Sequence, residues 1–339
     1  MAEHRLLILY TGGTIGMIQA PGDTSLIPFD FSNLLGQLPE ITRFRCQIDY
    51  YSFRPLLDSS DMDSSNWAEI AQVIQDKYAE YDSFVVLHGS DTMAYTASAL
   101  SFALEGLGKP VILTGAQLPI GEIRTDAKEN LITSIEIAST APKTLQEVCI
   151  YFDYQLFRGN RTHKKSVQRF EAFVSSNYPL LAEARTSIRY YPENFLPLPT
   201  VPFQVQAHWE SRIGLIKFFP GIQAEWVEAL LSTTGLRGVV LETFGAGNLP
   251  VRPWLFDIFA KASKMGIVLL NITQCEEGTV EMGKYETSRH LSSLGVISGR
   301  DMTPEAAITK LSWLCAQSQD PQLIRSLAGK NLRGELTEA

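Results

Sequence analysis

Residues 6–16 read LLILYTGGTIG, and the reading of this stretch decides the fold. Leu6 to Tyr10 form an apolar run ended by glycine, the pattern of a strand buried on both faces inside a parallel sheet. Gly12, Gly13 and Gly16 miss the G-x-G-x-x-G spacing of a dinucleotide turn by one position, and no G-K-[ST] follows. A phosphate cradle is therefore disfavoured. The other use of such a turn is to expose a side chain at the carboxyl end of a strand, where open α/β sheets collect their chemistry. Thr14 is that side chain.

Outward from this strand, short apolar runs alternate with amphipathic ones from Arg5 to about Ala184, as in a parallel sheet flanked by helices. SFVVLHG (83–89), KPVILTG (109–115) and EVCIYF (147–152) read as strands. NWAEIAQVIQDKYAEY, beginning at Asn66, spaces Trp67, Ile70, Ile74 and Tyr78 as a helix, with Asn66 and Glu69 resembling a capping box. A second helix is predicted over 125–139. Pro192, Pro197, Pro199 and Pro202 then interrupt the pattern and rule out a helix or a central strand, so residues 187–211 read as a linker. Alternation resumes with strands predicted at 212–219, 238–244 and 266–273 and helices near 223–233, 253–264 and 304–318. The expected fold is α/β with two domains: a larger one over 1–186 with a parallel-type sheet, and a smaller α/β domain over 212–339.

A chain of 339 residues exceeds the ~250 to 300 at which single cores stop growing, which agrees with two domains. Its net charge of −8 disfavours nucleic acid or an anionic membrane surface as partner and favours a small solute. The N-terminus has no basic start and its apolar run is too short for a signal peptide, and no stretch approaches the ~20 apolar residues of a membrane span. A cytoplasmic protein is expected. The five histidines form no H-E-x-x-H, and Cys46, Cys149, Cys275 and Cys315 form no C-x-x-C, so no metal or other cofactor is expected and the cysteines read as reduced.

Four strand ends of the first domain finish in stretches bearing hydroxyl or acid residues: YTGGT, LLDSSDM at 56–62, HGSDT at 88–92 and TGAQ at 114–117. Parallel strands gather their carboxyl ends along one sheet edge, so these loops should converge. A free alcohol is a poor nucleophile at neutral pH and needs a base. The basic loop FRGNRTHKKS (157–166) offers Lys164 or Lys165 for that role, whereas His88 reads as a satisfied strand-end residue.

TGGTIG at 11–16 together with HGSDTMAYTASALSF at 88–102 resembles the two signatures of the bacterial-type L-asparaginases, most closely the cytoplasmic type I enzymes. The likeness extends to DSSDM, TGAQLP, RGNRTHK, GAGNLP (245–250), NITQC (271–275) and NLRGEL (331–336), and so spans nearly the whole chain. It implies hydrolysis of L-asparagine to L-aspartate and ammonia through a covalent acyl-enzyme, with weak glutaminase side activity. By the same resemblance Thr14 is the nucleophile, and Ser90, a buried Asp91 and Lys164 form a second triad. Asp91 also binds the substrate ammonium, Ser59 binds its α-carboxylate, and Ser60 lines the pocket. The family works as a close dimer, often paired into a tetramer, in which a neighbour's second domain closes each site; Asn248 and Tyr285 are the candidates for that contribution.

Three departures from the family pattern carry expectations of their own. The usual HGTDT reads HGSDT, so Ser90 keeps the hydroxyl but lacks the methyl that restricts χ1. Leu26 stands where many relatives have a loop tyrosine, so either Tyr285 of the second domain substitutes for it or Thr14 manages with another donor. Glu242 and His163 stand at positions of an allosteric asparagine site, where relatives have arginine and threonine, so such activation is expected to be weak or absent. Two competing readings remain. One is the amidase subunit of a transfer-RNA amidotransferase, whose extra N-terminal domain finds no room before a first strand at residue 5. The other is an idle binding module, against which Thr14, Asp91 and Lys164 argue.

Overall fold

The computed structural model describes residues 4–19, 26–28, 38–283 and 286–338. The chain divides into two compact units, residues 1–207 and 208–339. The first unit runs β1 (His4–Gly12), β2 (Met17–Gln19), β3 (Leu26–Pro28), β4 (Cys46–Leu57), α1 (Ser64–Lys77) and β5 (Ser83–Leu87). It continues with α2 (Met93–Ala103), β6 (Leu104–Glu105), β7 (Val111–Thr114), α3 (Ala127–Thr140), β8 (Val148–Phe152) and β9 (Gln155–Arg158). Five short strands complete it: β10 (His163–Lys164), β11 (Phe173–Val174), β12 (Ala182–Ala184), β13 (Ile188–Tyr190) and β14 (Gln204–Val205).

Eight of these strands form one sheet in the order β13-β12-β9-β8-β7-β5-β1-β4. Neighbours from β4 through β8 are parallel, and β9, β12 and β13 join antiparallel. The apolar run of β1 lies inside this sheet, as its sequence requires. Leu6, Ile8 and Tyr10 enter a core with Val85, Leu87, Ile112 and the α3 residues Leu131 and Ile135, while the alternate residues Leu7 and Leu9 are buried on the other face. Helix α1 starts earlier than its sequence suggested. Asp63 is the N-cap and accepts the Ser65 N–H at 2.7 Å, while Asn66 returns the bond by accepting the Asp63 N–H at 2.9 Å.

The proline-rich stretch 187–211 belongs largely to the first unit. It supplies β13 at the sheet edge and β14, which pairs with β6, and its Leu196 N–H donates at 2.8 Å to the buried Glu147 carboxylate. Proline excludes a central strand but leaves edge positions open. Glu147 in turn holds Arg158 at 2.6 Å, both side chains nearly fully buried.

The second unit runs β15 (Ile213–Lys217), α4 (Ala224–Leu231), β16 (Gly238–Thr243), α5 (Pro253–Lys264), β17 (Val268–Thr273), α6 (Glu286–Ser293), β18 (Val296–Ser298), α7 (Pro304–Gln317) and α8 (Pro321–Ala328). Its four strands are all parallel, in the order β15-β16-β17-β18. Val239, Leu241, Leu269 and Val296 pack on Leu255 and Phe259 of α5. Among the described residues no helix is long and apolar enough to cross a membrane.

On α7, Lys310 is fully buried and its ammonium lies 2.6 Å from the equally buried Glu335 carboxylate, which also accepts the Leu332 and Arg333 backbone N–H groups. Removing one partner of such a pair strands the other charge away from water, at a cost of about 3 to 5 kcal/mol. Glu335→Gln should therefore destabilise the second unit by about that amount in urea denaturation. Trp209, Trp226, Trp254 and Trp313 lie in this unit and Trp67 in the first, so tryptophan fluorescence reports mainly on it. A loss below about 1 kcal/mol would show that the carboxylate does not compensate Lys310.

Candidate active site

The pairing of β1 with β4 slips between Tyr10 and Gly12, so the chain leaves the sheet at the glycines. Gly13 has φ +86, and a Cβ there would lie 2.5 Å from the Gly89 nitrogen. Only glycine meets both demands, a positive φ and backbone-on-backbone approach. The contact sets the TGGT loop against the HGSD loop and starts a single 3-10 turn over Thr14–Gly16, with Gly16 N–H donating to Gly13 O at 3.2 Å. Tyr10 braces this turn from below. Burial pushes its phenol up to about 12, and the protonated OH donates to Gly16 O at 2.9 Å.

Ser90 and Asp91 follow β5 and precede the first residue of α2, at the positive end of that helix. Lys164 reaches both, donating to Ser90 Oγ at 2.8 Å and to Asp91 Oδ1 at 2.7 Å. The choice between the two lysines is thereby made, because Lys165 pairs with Glu171 at 2.8 Å instead. Asp91 departs from expectation. Its side chain is 63% exposed while that of Lys164 is 12% exposed, because Asp91 lies in the loop ahead of α2 and not under it.

Ser59 and Ser60 form a short 3-10 turn after β4. Ser59 is buried against the HGSD loop: its carbonyl accepts the Thr92 hydroxyl at 2.6 Å, and a Cβ on Gly89 would meet its Oγ at 2.3 Å. Ser60 is exposed and donates its hydroxyl to Asp58 at 2.8 Å. The Ser60 N–H, followed by that hydroxyl, holds the Asp58 carboxyl below its ordinary range. Gln117, in the fourth loop, accepts the Ser90 hydroxyl at 3.3 Å. All four strand-end loops therefore meet, as the parallel topology predicts. Gln117 lies in the TGAQ motif, and an amide in a loop carries no sequence pattern that marks it for a role.

His88 is closed to chemistry. It is fully buried, with Nδ1 2.7 Å from Gly89 O and Nε2 2.8 Å from Thr96 Oγ1. A carbonyl only accepts, so Nδ1 carries the proton and Nε2 accepts from Thr96. In the second unit Asn248 closes a tight turn, exchanging backbone hydrogen bonds with Phe244 at 2.8 and 3.0 Å. Asn271 supports that turn by donating to Gly247 O at 3.3 Å. Glu242 is buried and paired with Lys217 at 3.1 Å. Tyr285 lies outside the described residues. Among the described residues no group of three or more His, Cys, Asp or Glu is arranged to hold a metal ion.

Hydroxyls, a carboxylate and a lysine gathered at the carboxyl edge of a parallel sheet are the groups that nucleophilic catalysis on an α/β fold requires. Residues 5–195 match the family described as Asparaginase, N-terminal, and residues 212–327 match the Glutaminase/Asparaginase C-terminal domain. The chain belongs to the asparaginase family of amidohydrolases. It is 42% identical to L-asparaginase 1 of Escherichia coli K12, over 99% of both chains. The crystal structure of L-asparaginase I from Vibrio cholerae matches with a TM-score of 0.92 and 40% identity, covering 99% of this chain and 100% of that one. The thermostable L-asparaginase from Thermococcus kodakarensis matches at 0.91 and 30%, with the same coverage.

Burial lowers the His88 pKa to about 4. An unfolded histidine titrates near 6.5, so between these values the unfolded chain binds more protons and stability rises with pH. The contribution is complete above about 6.5 and is lost as the pH falls toward 4, amounting to about 3 kcal/mol. Urea denaturation from pH 7 to 4.5 should show a steeper loss for wild type than for His88→Gln. Parallel curves would contradict a neutral buried imidazole.

Proposed function

We propose that this chain is a cytoplasmic L-asparaginase that hydrolyses L-asparagine to L-aspartate and ammonia, with Thr14 as nucleophile and weak action on glutamine. The observation that carries the reading is Lys164 bonded to both Ser90 and Asp91, on the loop that touches the TGGT turn through Gly13 and Gly89.

Thr14 Oγ attacks the side-chain carbonyl carbon of asparagine. The carbon–nitrogen bond breaks, and ammonia departs with the proton that Thr14 gave up, passed through the Ser90 and Lys164 pair. The product is a β-aspartyl ester on Thr14. Water then adds to the ester carbonyl, the bond to Thr14 Oγ breaks, and that oxygen recovers a proton. Backbone N–H groups of the turns at Thr14 and Ser90 stabilise the oxyanion in both halves, at roughly 3 kcal/mol per donor.

The exposure of the Asp91 carboxylate, with Lys164 on Oδ1, supports its binding the substrate ammonium. Ser59 binds the α-carboxylate and Ser60 lines the same pocket. The working unit is a dimer or a dimer of dimers in which Asn248 and Tyr285 of a neighbour complete the site. Glutamine is longer by one methylene, a difference that a shaped pocket discriminates by about 1 to 3 kcal/mol.

Purified protein should release ammonia from asparagine. Thr14→Ala and Ser90→Ala should each lose roughly three or more orders of magnitude in kcat, as removal of members of a catalytic unit does. Acid-quenched wild type should carry the mass of an aspartyl group on the peptide containing Thr14. Wild-type turnover in Thr14→Ala, or a label on another residue, would overturn the reading. With Glu242 in place of arginine, the rate should rise hyperbolically with asparagine, and a sigmoidal curve would contradict that assignment.

A further inference from the structure

Ser90 lacks the methyl that would restrict χ1, yet its oxygen is held from two sides. Lys164 Nζ donates to it at 2.8 Å, and the hydroxyl donates to Gln117 Oε1 at 3.3 Å. The Gln117 amide can face only one way. Its nitrogen donates to the carbonyls of Arg169 at 3.0 Å and Ser166 at 3.4 Å, and turning it over would set its oxygen against both. The backbone beneath is equally fixed. Gln117 N–H reaches both oxygens of Asp126, at 3.1 and 2.9 Å, and Leu118 N–H reaches Oδ1 at 3.0 Å. Asn130 ties that carboxylate, at 3.2 Å, to the Gly115 carbonyl, at 3.0 Å. An acceptor anchored at both ends is thus presented to a hydroxyl that has one proton to give.

We propose that Gln117 is a positioning residue that does for Ser90 what the absent methyl would do. It confines the side chain to the rotamer facing Lys164 and draws the hydroxyl proton away from the ammonium, so that a lone pair of Oγ receives the lysine N–H. Lys164 and Ser90 then start each turnover in one arrangement. The inference rests on the reading of these two residues as the proton-moving pair.

The test is the near-isosteric Gln117→Met, made in wild type and in a Ser90→Thr background, with thermal melts to confirm folding. In wild type it should lower kcat about five- to tenfold, the scale of one neutral hydrogen bond, with KM within about twofold. In the Ser90→Thr background, where the branched side chain restricts itself, the same change should cost less than about twofold. Equal losses in both backgrounds, or no loss in wild type, would overturn the proposal. A crystal structure of Gln117→Met decides independently of activity. Ser90 Oγ spread over more than one rotamer supports the role, and a single unchanged rotamer rejects it. Full turnover in Ser90→Ala would instead bring down the underlying reading, so the two failures are distinguishable.

Discussion

At the ends of β1 and β5 two backbones touch, Gly13 against Gly89, with no side chain between them. The arrangement of the site follows from that contact. It brings the TGGT and HGSD loops together, and it requires a residue with neither a Cβ nor a preference for negative φ. Adjacent parallel strands supply the proximity, since β1 and β5 pair directly through Leu6 to Tyr10. A sheet that delivers neighbouring strand ends to one edge needs only two bare backbones to set their side chains side by side.

Around this point, polar groups are held by few and specific partners. Lys164 divides its hydrogen bonds between a hydroxyl and an acid, Gln117 takes the hydroxyl's own proton, and His88 stays neutral behind them. A buried imidazolium would be costly in low dielectric, and the Gly89 carbonyl and Thr96 hydroxyl satisfy the neutral ring instead. The histidine thus serves the scaffold, while Ser90, Asp91 and Lys164 lie nearer the surface.

Much of this was legible in the sequence. The central strands and their helices show as apolar runs and helical spacing because both faces of the sheet are buried, and the converging loops follow from parallel topology alone. Of the twelve-residue β4 only the end, LLDSSDM, was legible, since the rest of CQIDYYSFRPLL lies at the sheet edge and is mostly polar or half-exposed. The short β12, β13 and β14 escaped for the same reason. The burial expected of Asp91 does not hold, since the exposure of an acid in a strand-to-helix loop depends on where α2 begins. The choice between Lys164 and Lys165 was open for a geometric reason: neighbours in an extended chain point to opposite sides.

Lys164 sits in the small ribbon of β10 and β11, paired with Phe173, and the next residue, Lys165, turns outward to Glu171. Loss of one residue ahead of His163, with the pairing to β11 kept, would put Lys165 where Lys164 stands, whereas a residue gained in the hairpin beyond the two lysines would leave both in place. The segment is therefore strict about its length before the ribbon and lenient within the hairpin, where loop residues can absorb the change.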